Sequence, residues 1–179
     1  AVASTIDIGG GTIKTVGDTW AAIRAYGEFV TQNTGVVNFN VTKDASGMAT
    51  GAGKNRAIIE GDFSTNGGMG TKGRISVGLS TPESYWHGNY VDTHGYGVTQ
   101  GQYGSVNLFM KNGSHWKGFA SGVMNVEMSG ADTKWTGFNI EDNMKLTLKD
   151  GATWYNAVTP EQKGWKDVAA ISRGKNFSG

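Results

Sequence analysis

From Ile75 onward the chain carries short runs in which every second residue is apolar. Four triplets recur: Ile75, Val77 and Leu79; Val106, Leu108 and Met110; Met124, Val126 and Met128; Met144, Leu146 and Leu148. Successive side chains of a β-strand point to opposite faces. A period of two therefore puts each triplet on one buried face and turns Asn107, Phe109, Thr147 and Lys149 the other way. A tryptophan follows each triplet by 10 or 11 residues: Trp86, Trp116, Trp135 and Trp154. The last three are 19 and 19 residues apart, and such regularity marks a repeat architecture.

Between triplet and tryptophan lie turn clusters: Lys111-Asn112-Gly113-Ser114, Ser129-Gly130-Ala131-Asp132 and Lys149-Asp150-Gly151-Ala152. Glycine and asparagine there supply the positive φ that a sharp corner needs. Gly118-Phe119-Ala120 and Gly137-Phe138-Asn139-Ile140 suggest a third short strand per unit. Two or three strands in about 19 residues, repeated without helical periodicity, predict an all-β parallel β-helix with loop insertions, its equivalent triplets stacked into sheets. Residues 75–179 form the regular part. In residues 1–74 alternation persists (Ile6-Asp7-Ile8, Thr12 to Val16, Val37 to Val41) while the period blurs, so the same architecture is expected there with irregular units. The stretch from Asp18 to Tyr26 is the one plausible helix, with a loop turn or a strand pair as equal alternatives. Ser64 to Gly73, rich in glycine, is expected to be a flexible surface loop.

Glycine makes up 29 of 179 residues, against a usual share of about 7%, yet there are two prolines and no G-X-Y period. Collagen is excluded and many tight turns are implied. No run approaches the roughly 18 consecutive apolar residues that span a bilayer as a helix. Sixteen basic and fifteen acidic residues are scattered, giving a net charge of +1; nucleic acid, which needs a concentrated basic face, is not an expected partner. The absence of cysteine removes disulfides and thiolate sites and suits passage through an oxidising periplasm. No signal-peptide pattern starts at Ala1.

Candidate chemistry is sparse. Gly68-Met69-Gly70-Thr71-Lys72-Gly73 matches G-x-G-x-x-G but leads into a strand pattern instead of a helix, so it reads as a turn. The run Gly51-Ala52-Gly53-Lys54-Asn55 fails the P-loop pattern, with Met48 in place of its first glycine and Asn55 in place of Ser or Thr, and a loop is expected. Glycine-rich turns lack the aspartate that calcium-binding repeats need. His87, His94 and His115 have no carboxylate at a zinc-site spacing, and no metal or other cofactor is expected. Glu60 and Asp62, two apart and expected on one strand face, are the best foothold for acid–base catalysis; Glu141 and Asp142, as neighbours, suit a solvated turn. Trp86, Trp116, Trp135 and Trp154 are expected to form a packing ladder in preference to a sugar-stacking surface.

One break in the repeat stands out. Trp86 and Trp116 are 30 residues apart instead of 19, so about 11 residues are inserted between Gly88 and Gly104. Repeat proteins place insertions on one face, often the binding face. The insert offers Tyr90, Asp92, His94, Tyr96, Gln100, Gln102 and Tyr103, a mixture of aromatic faces and hydrogen-bonding groups suited to a protein or glycan partner.

The segments from Val106 to Trp116 and from Leu146 to Trp154 resemble the strand, Asn/Asp-Gly, small residue, Trp units of pertactin-like autotransporter passengers. The resemblance covers residues 75–156 and specifies fold more than function. It implies a right-handed parallel β-helix, threaded through the outer membrane by a C-terminal β-barrel and folded on the bacterial cell surface; that barrel is not in this chain, which is expected to be a fragment. It also implies a non-enzymatic role in adhesion, binding a host-cell or extracellular protein or glycan. A structural stalk that promotes folding is the alternative, and a carbohydrate-active β-helix enzyme the lesser one. The family has no shared catalytic motif to transfer.

Overall fold

The alternating runs become strands of three parallel sheets, which the chain visits in one recurring order. The computed structural model describes residues 3–16, 21–28, 33–68, 71–92, 104–140 and 144–157, and among them there is no helix. The first sheet, A, holds β1 (Ala3–Ile8), β4 (Asn33–Phe39), β10 (Arg74–Leu79), β13 (Ser105–Lys111), β16 (Val123–Ser129) and β18 (Met144–Lys149). Sheet B holds β2 (Gly11–Lys14), β7 (Ala57–Glu60), β11 (Tyr85–His87), β14 (His115–Lys117), β17 (Lys134–Gly137) and β19 (Thr153–Asn156). Sheet C holds β3 (Ile23–Glu28), β8 (Phe63–Gly68), β12 (Tyr90–Asp92) and β15 (Ala120–Ser121), and a bridge from Ala120 to Asn139 extends it. An antiparallel contact between β3 and β4 joins sheets A and C. In sequence the order is A, B, C, then A again, with each strand pairing parallel to its equivalent in the preceding unit.

Register follows from burial. Val37, Ile75, Val106, Met124 and Met144 stand in one file across sheet A, and Phe39, Val77, Leu108, Val126 and Leu146 in the next. A slip of one residue would turn every one of these side chains out to solvent, which fixes the pairing. The files are buried through β16; in β18, the last sheet A strand described, Met144 and Leu146 are half-buried and Leu148 is exposed. On the opposite face the file between them, Asp7, Asn38, Ser76, Asn107, Asn125 and Lys145, is polar and bonds across strands. Asn38 Nδ2 donates to Asp7 Oδ1 at 2.9 Å, Asn107 Nδ2 to Ser76 Oγ at 3.3 Å, and Asn125 Nδ2 to Asn107 Oδ1 at 3.0 Å.

The corners take the expected residues. Asn112 and Gly113 have φ of 56° and 79°, and Asp150 and Gly151 have 53° and 80°, the pair of positive values that a type I′ turn requires. The small residue after each turn packs inside: Ser84, Ser114 and Thr133 are buried, and Ser114 Oγ donates to the Leu79 carbonyl at 3.0 Å.

Two segments differ from the sequence expectation, Ser64 to Gly73 and Gly51 to Gly53, while Asp18 to Tyr26 had a strand among its alternatives. Ser64 to Gly73 is chiefly strand: β8 pairs with β3 and β12, and β9 (Thr71–Lys72) folds back antiparallel on β8. Its inward residues are Phe63 and Thr65, and a threonine carries no apolar signal. Within Asp18 to Tyr26, residues 21–26 contain no helix and Ile23 opens β3, burying Ile23 and Ala25 on alternate positions. The Gly51-Ala52-Gly53 run, expected to be a loop, begins within β6 (Ala49–Ala52), which forms a hairpin with β5 (Val41–Lys43). This hairpin lies against sheet A at Gly78, where an added Cβ would come within 2.0 Å of the Asn40 carbonyl oxygen.

Candidate functional site

The insert has a fixed root. Tyr90 and Asp92 belong to β12 and point inward, so the excursion from the repeat starts after Asp92. Tyr90 is fully buried, with Oη 2.8 Å from Thr65 Oγ1 and 3.3 Å from the Gly104 carbonyl; Thr65 Oγ1 donates to Asp92 Oδ1 at 2.9 Å. Burial, then the Asp92 charge, pushes the Tyr90 phenol well above its ordinary range. These two residues, expected to contact a ligand, are buried in the core at the start of the insert. The other five candidates, His94, Tyr96, Gln100, Gln102 and Tyr103, lie outside the described residues.

The four tryptophans form a continuous stack. Ring centroids are 4.7, 4.5 and 4.8 Å apart along Trp86, Trp116, Trp135 and Trp154, with interplanar angles of 3°, 6° and 8°. Phe63 extends the row at 3.9 Å from Trp86. Each indole N–H donates to a glycine carbonyl one unit earlier: Trp86 to Gly61 (2.9 Å), Trp116 to Gly88 (3.0 Å), Trp135 to Gly118 (3.0 Å) and Trp154 to Gly137 (2.9 Å). These glycines are themselves stacked. At Gly118, φ is +151°, and an added Cβ would come within 1.8 Å of the Gly88 carbonyl oxygen. The recurring Trp-x-Gly unit is thus one device, in which the glycine lets the next corner approach while its carbonyl receives the indole. With Trp86, Trp116 and Trp135 fully buried, their faces are filled by other rings and cannot stack on a sugar.

The carboxylate pair separates. β7 ends at Glu60, and Gly61, with φ of +131°, turns the corner before Asp62. Glu60 remains on the outer face of sheet B, paired with Lys14 and accepting from Tyr85 Oη at 2.8 Å; these two bonds hold its carboxyl below the usual range. Asp62 Oδ1 accepts the Asn89 backbone N–H at 2.7 Å, and Asn89 Oδ1 accepts that of Phe119 at 3.0 Å, a corner ladder between sheets B and C. Burial raises the Asp62 pKa, more than the bonds from Asn89 lower it. The expectation of one shared strand face therefore fails. Glu141 and Asp142 lie outside the described residues.

Parallel pairing assembles a cluster on the outer face of sheet B that the linear sequence obscures. Tyr85 stands opposite His115 and His87 opposite Lys117. His87 and His115, 28 residues apart, approach to 3.3 Å between their Nε2 atoms. The Tyr85 ring lies 4.3 Å from that of His87 and stacks at 5.3 Å and 17° on that of His115. Burial, followed by the His87 and Lys117 charges, lowers the His115 pKa. The repeat held the necessary signal: His87 follows its tryptophan and His115 precedes its own, so both face away from the buried ring row. Among the described residues no group of three or more His, Cys, Asp and Glu side chains is placed to hold a metal.

A cleft of about 470 Å³ opens between the end of β1 and the base of the β5–β6 hairpin, with Asp7, Asn40, Lys43, Lys54 and Asn55 among its lining. Asp7 is paired with Lys43 at 2.9 Å, and the Asn40 amide is occupied with the Asn55 and Gly78 carbonyls. Compared with known proteins, the chain matches no family model, no curated protein and no solved structure.

Proposed function

We propose that the chain is a stretch of right-handed parallel β-helix from a pertactin-like autotransporter passenger, displayed on the bacterial surface for binding and not for catalysis. The observation that carries the reading is the in-register tryptophan column, in which four indoles stack and each bonds to a glycine carbonyl of the preceding unit. Such a column can be extended unit by unit without a closed core, as a long display stalk requires. In this reading sheets A, B and C are the three faces of the coil. The insert that follows Asp92 is the binding element, and the Thr65, Tyr90 and Asp92 bonds fix the strand from which it leaves. Its partner is a host-cell or extracellular protein or glycan, recognised by the insert's tyrosines and amides.

The burial of Tyr90 favours a second reading, a stalk whose insert contacts nothing. Replacing residues 93–103 with a short Gly-Ser turn separates the two. With circular dichroism unchanged, loss of binding to host cells and glycan surfaces supports the adhesin; unchanged binding leaves the stalk, and an absence of binding by the parent chain removes the adhesin as well.

A further inference from the structure

We propose that His87 and His115 form a two-nitrogen binding site for a zinc-type divalent cation on the outer face of sheet B. Their Nε2 atoms are 3.3 Å apart. Two imidazole nitrogens bound to one tetrahedral zinc at about 2.0–2.1 Å stand about 3.3–3.4 Å from each other, so the pair already has the spacing of one edge of that tetrahedron. The ion would sit off the line that joins the two nitrogens, at the apex of the triangle they form with it. Each ring would then carry its N–H on Nδ1 and direct the Nε2 lone pair at the metal, the usual arrangement of ligating histidines.

The rings are held in place. Tyr85 packs against both, and its hydroxyl is tied to Glu60, which is in turn paired with Lys14. Pre-positioned ligands reduce the ordering cost of binding. Both histidines are half-exposed, so solvent can fill the remaining coordination positions, which makes this an open site able to accept a further ligand from a partner. Of the charged groups around the pair, Lys117 beside His87 and Lys14 oppose a cation and Glu60 favours one; with two protein ligands, binding is reversible.

The test is isothermal titration of zinc chloride into the untagged, chelator-treated chain at neutral pH, with the imidazole nitrogens followed by NMR. One-to-one saturable binding is expected, with both Nε2 resonances shifted and affinity reduced about 10-fold or more in each of His87→Ala and His115→Ala, whose unchanged circular dichroism excludes misfolding. His94→Ala controls for the third histidine. No saturable binding overturns the proposal, as does binding that survives His87→Ala and His115→Ala.

Discussion

Trp116 is the residue on which the stack should depend most. It is fully buried, with rings on both sides at 4.7 and 4.5 Å and an indole N–H bonded to the Gly88 carbonyl at 3.0 Å. Truncating a buried tryptophan to alanine costs about 3–5 kcal/mol. Two ring contacts, each worth about 0.5–1.5 kcal/mol beyond area, and a buried carbonyl deprived of its donor place Trp116→Ala in the upper half of that range, about 4–5 kcal/mol. Trp154 supplies the internal comparison. It makes the same bond at 2.9 Å, but it is half-buried and has one stacked tryptophan, Trp135, so Trp154→Ala should cost about half as much, near 2 kcal/mol. Guanidinium denaturation followed by far-UV circular dichroism measures both. If Trp116→Ala does not fold, Trp116→Phe, which keeps a ring and loses the N–H, should still cost about 1–3 kcal/mol. Equal costs at the two positions would refute the reasoning, because among the described residues Trp116 has stacked rings on both faces and Trp154 on one.

Two further predictions concern the corners. Gly118→Ala introduces a Cβ 1.8 Å from the Gly88 carbonyl at a positive φ and should destabilise by more than about 3 kcal/mol, whereas Gly47→Ala, with a φ of +81° but open space around it, should cost about 1 kcal/mol; thermal melts of both check the difference. Asp62 should give an inverted pH dependence. Its pKa is raised on folding, so its effect is neutral while both states are protonated, and ionisation destabilises the fold as pH rises from the usual carboxylate range through the folded value. Asp62→Asn keeps an acceptor for the Asn89 N–H, so the melting temperature of the variant relative to the parent should rise between about pH 4 and about pH 7. Asp7 and Glu60, lowered by their lysine partners, titrate in the opposite sense but are common to both proteins and cancel in the difference. A flat difference would remove burial as the cause.

The regular strands are legible because β10, β13 and β16 each bury an apolar residue at every second position and β18 repeats the same alternation, a pattern that depends on no distant partner. Sheet C was harder to read. Its strands are as short as two residues, and β8 and β12 place Thr65 and Asp92 inward, where Thr65 bonds to both Asp92 and Tyr90. Polar residues that bond among themselves in a core look like a loop in the sequence, which is why Tyr90 and Asp92 read as part of the insert and β8 as a flexible segment. The β5–β6 hairpin escaped notice because what admits it is an absence, the missing side chain of Gly78. The histidine pair was obscured by the insert: a separation of 28 residues means nothing until the repeat is followed across the break.

In-register parallel stacking underlies every one of these inferences, and the lack of native cysteine makes it directly testable. Asn107 and Asn125 are partners on adjacent strands, and their side chains meet at 3.0 Å on the outer face of sheet A; Lys145 is the next partner along the same file. Adjacent strands lie about 4.8 Å apart, within the span of a disulfide, and next-but-one strands about 9.6 Å apart, beyond it. Mild oxidation of the paired Asn107→Cys and Asn125→Cys variant should therefore close an intramolecular disulfide with the fold intact, while Asn107→Cys with Lys145→Cys should remain reduced. Closure of the second pair and not the first would contradict the stacked-unit account.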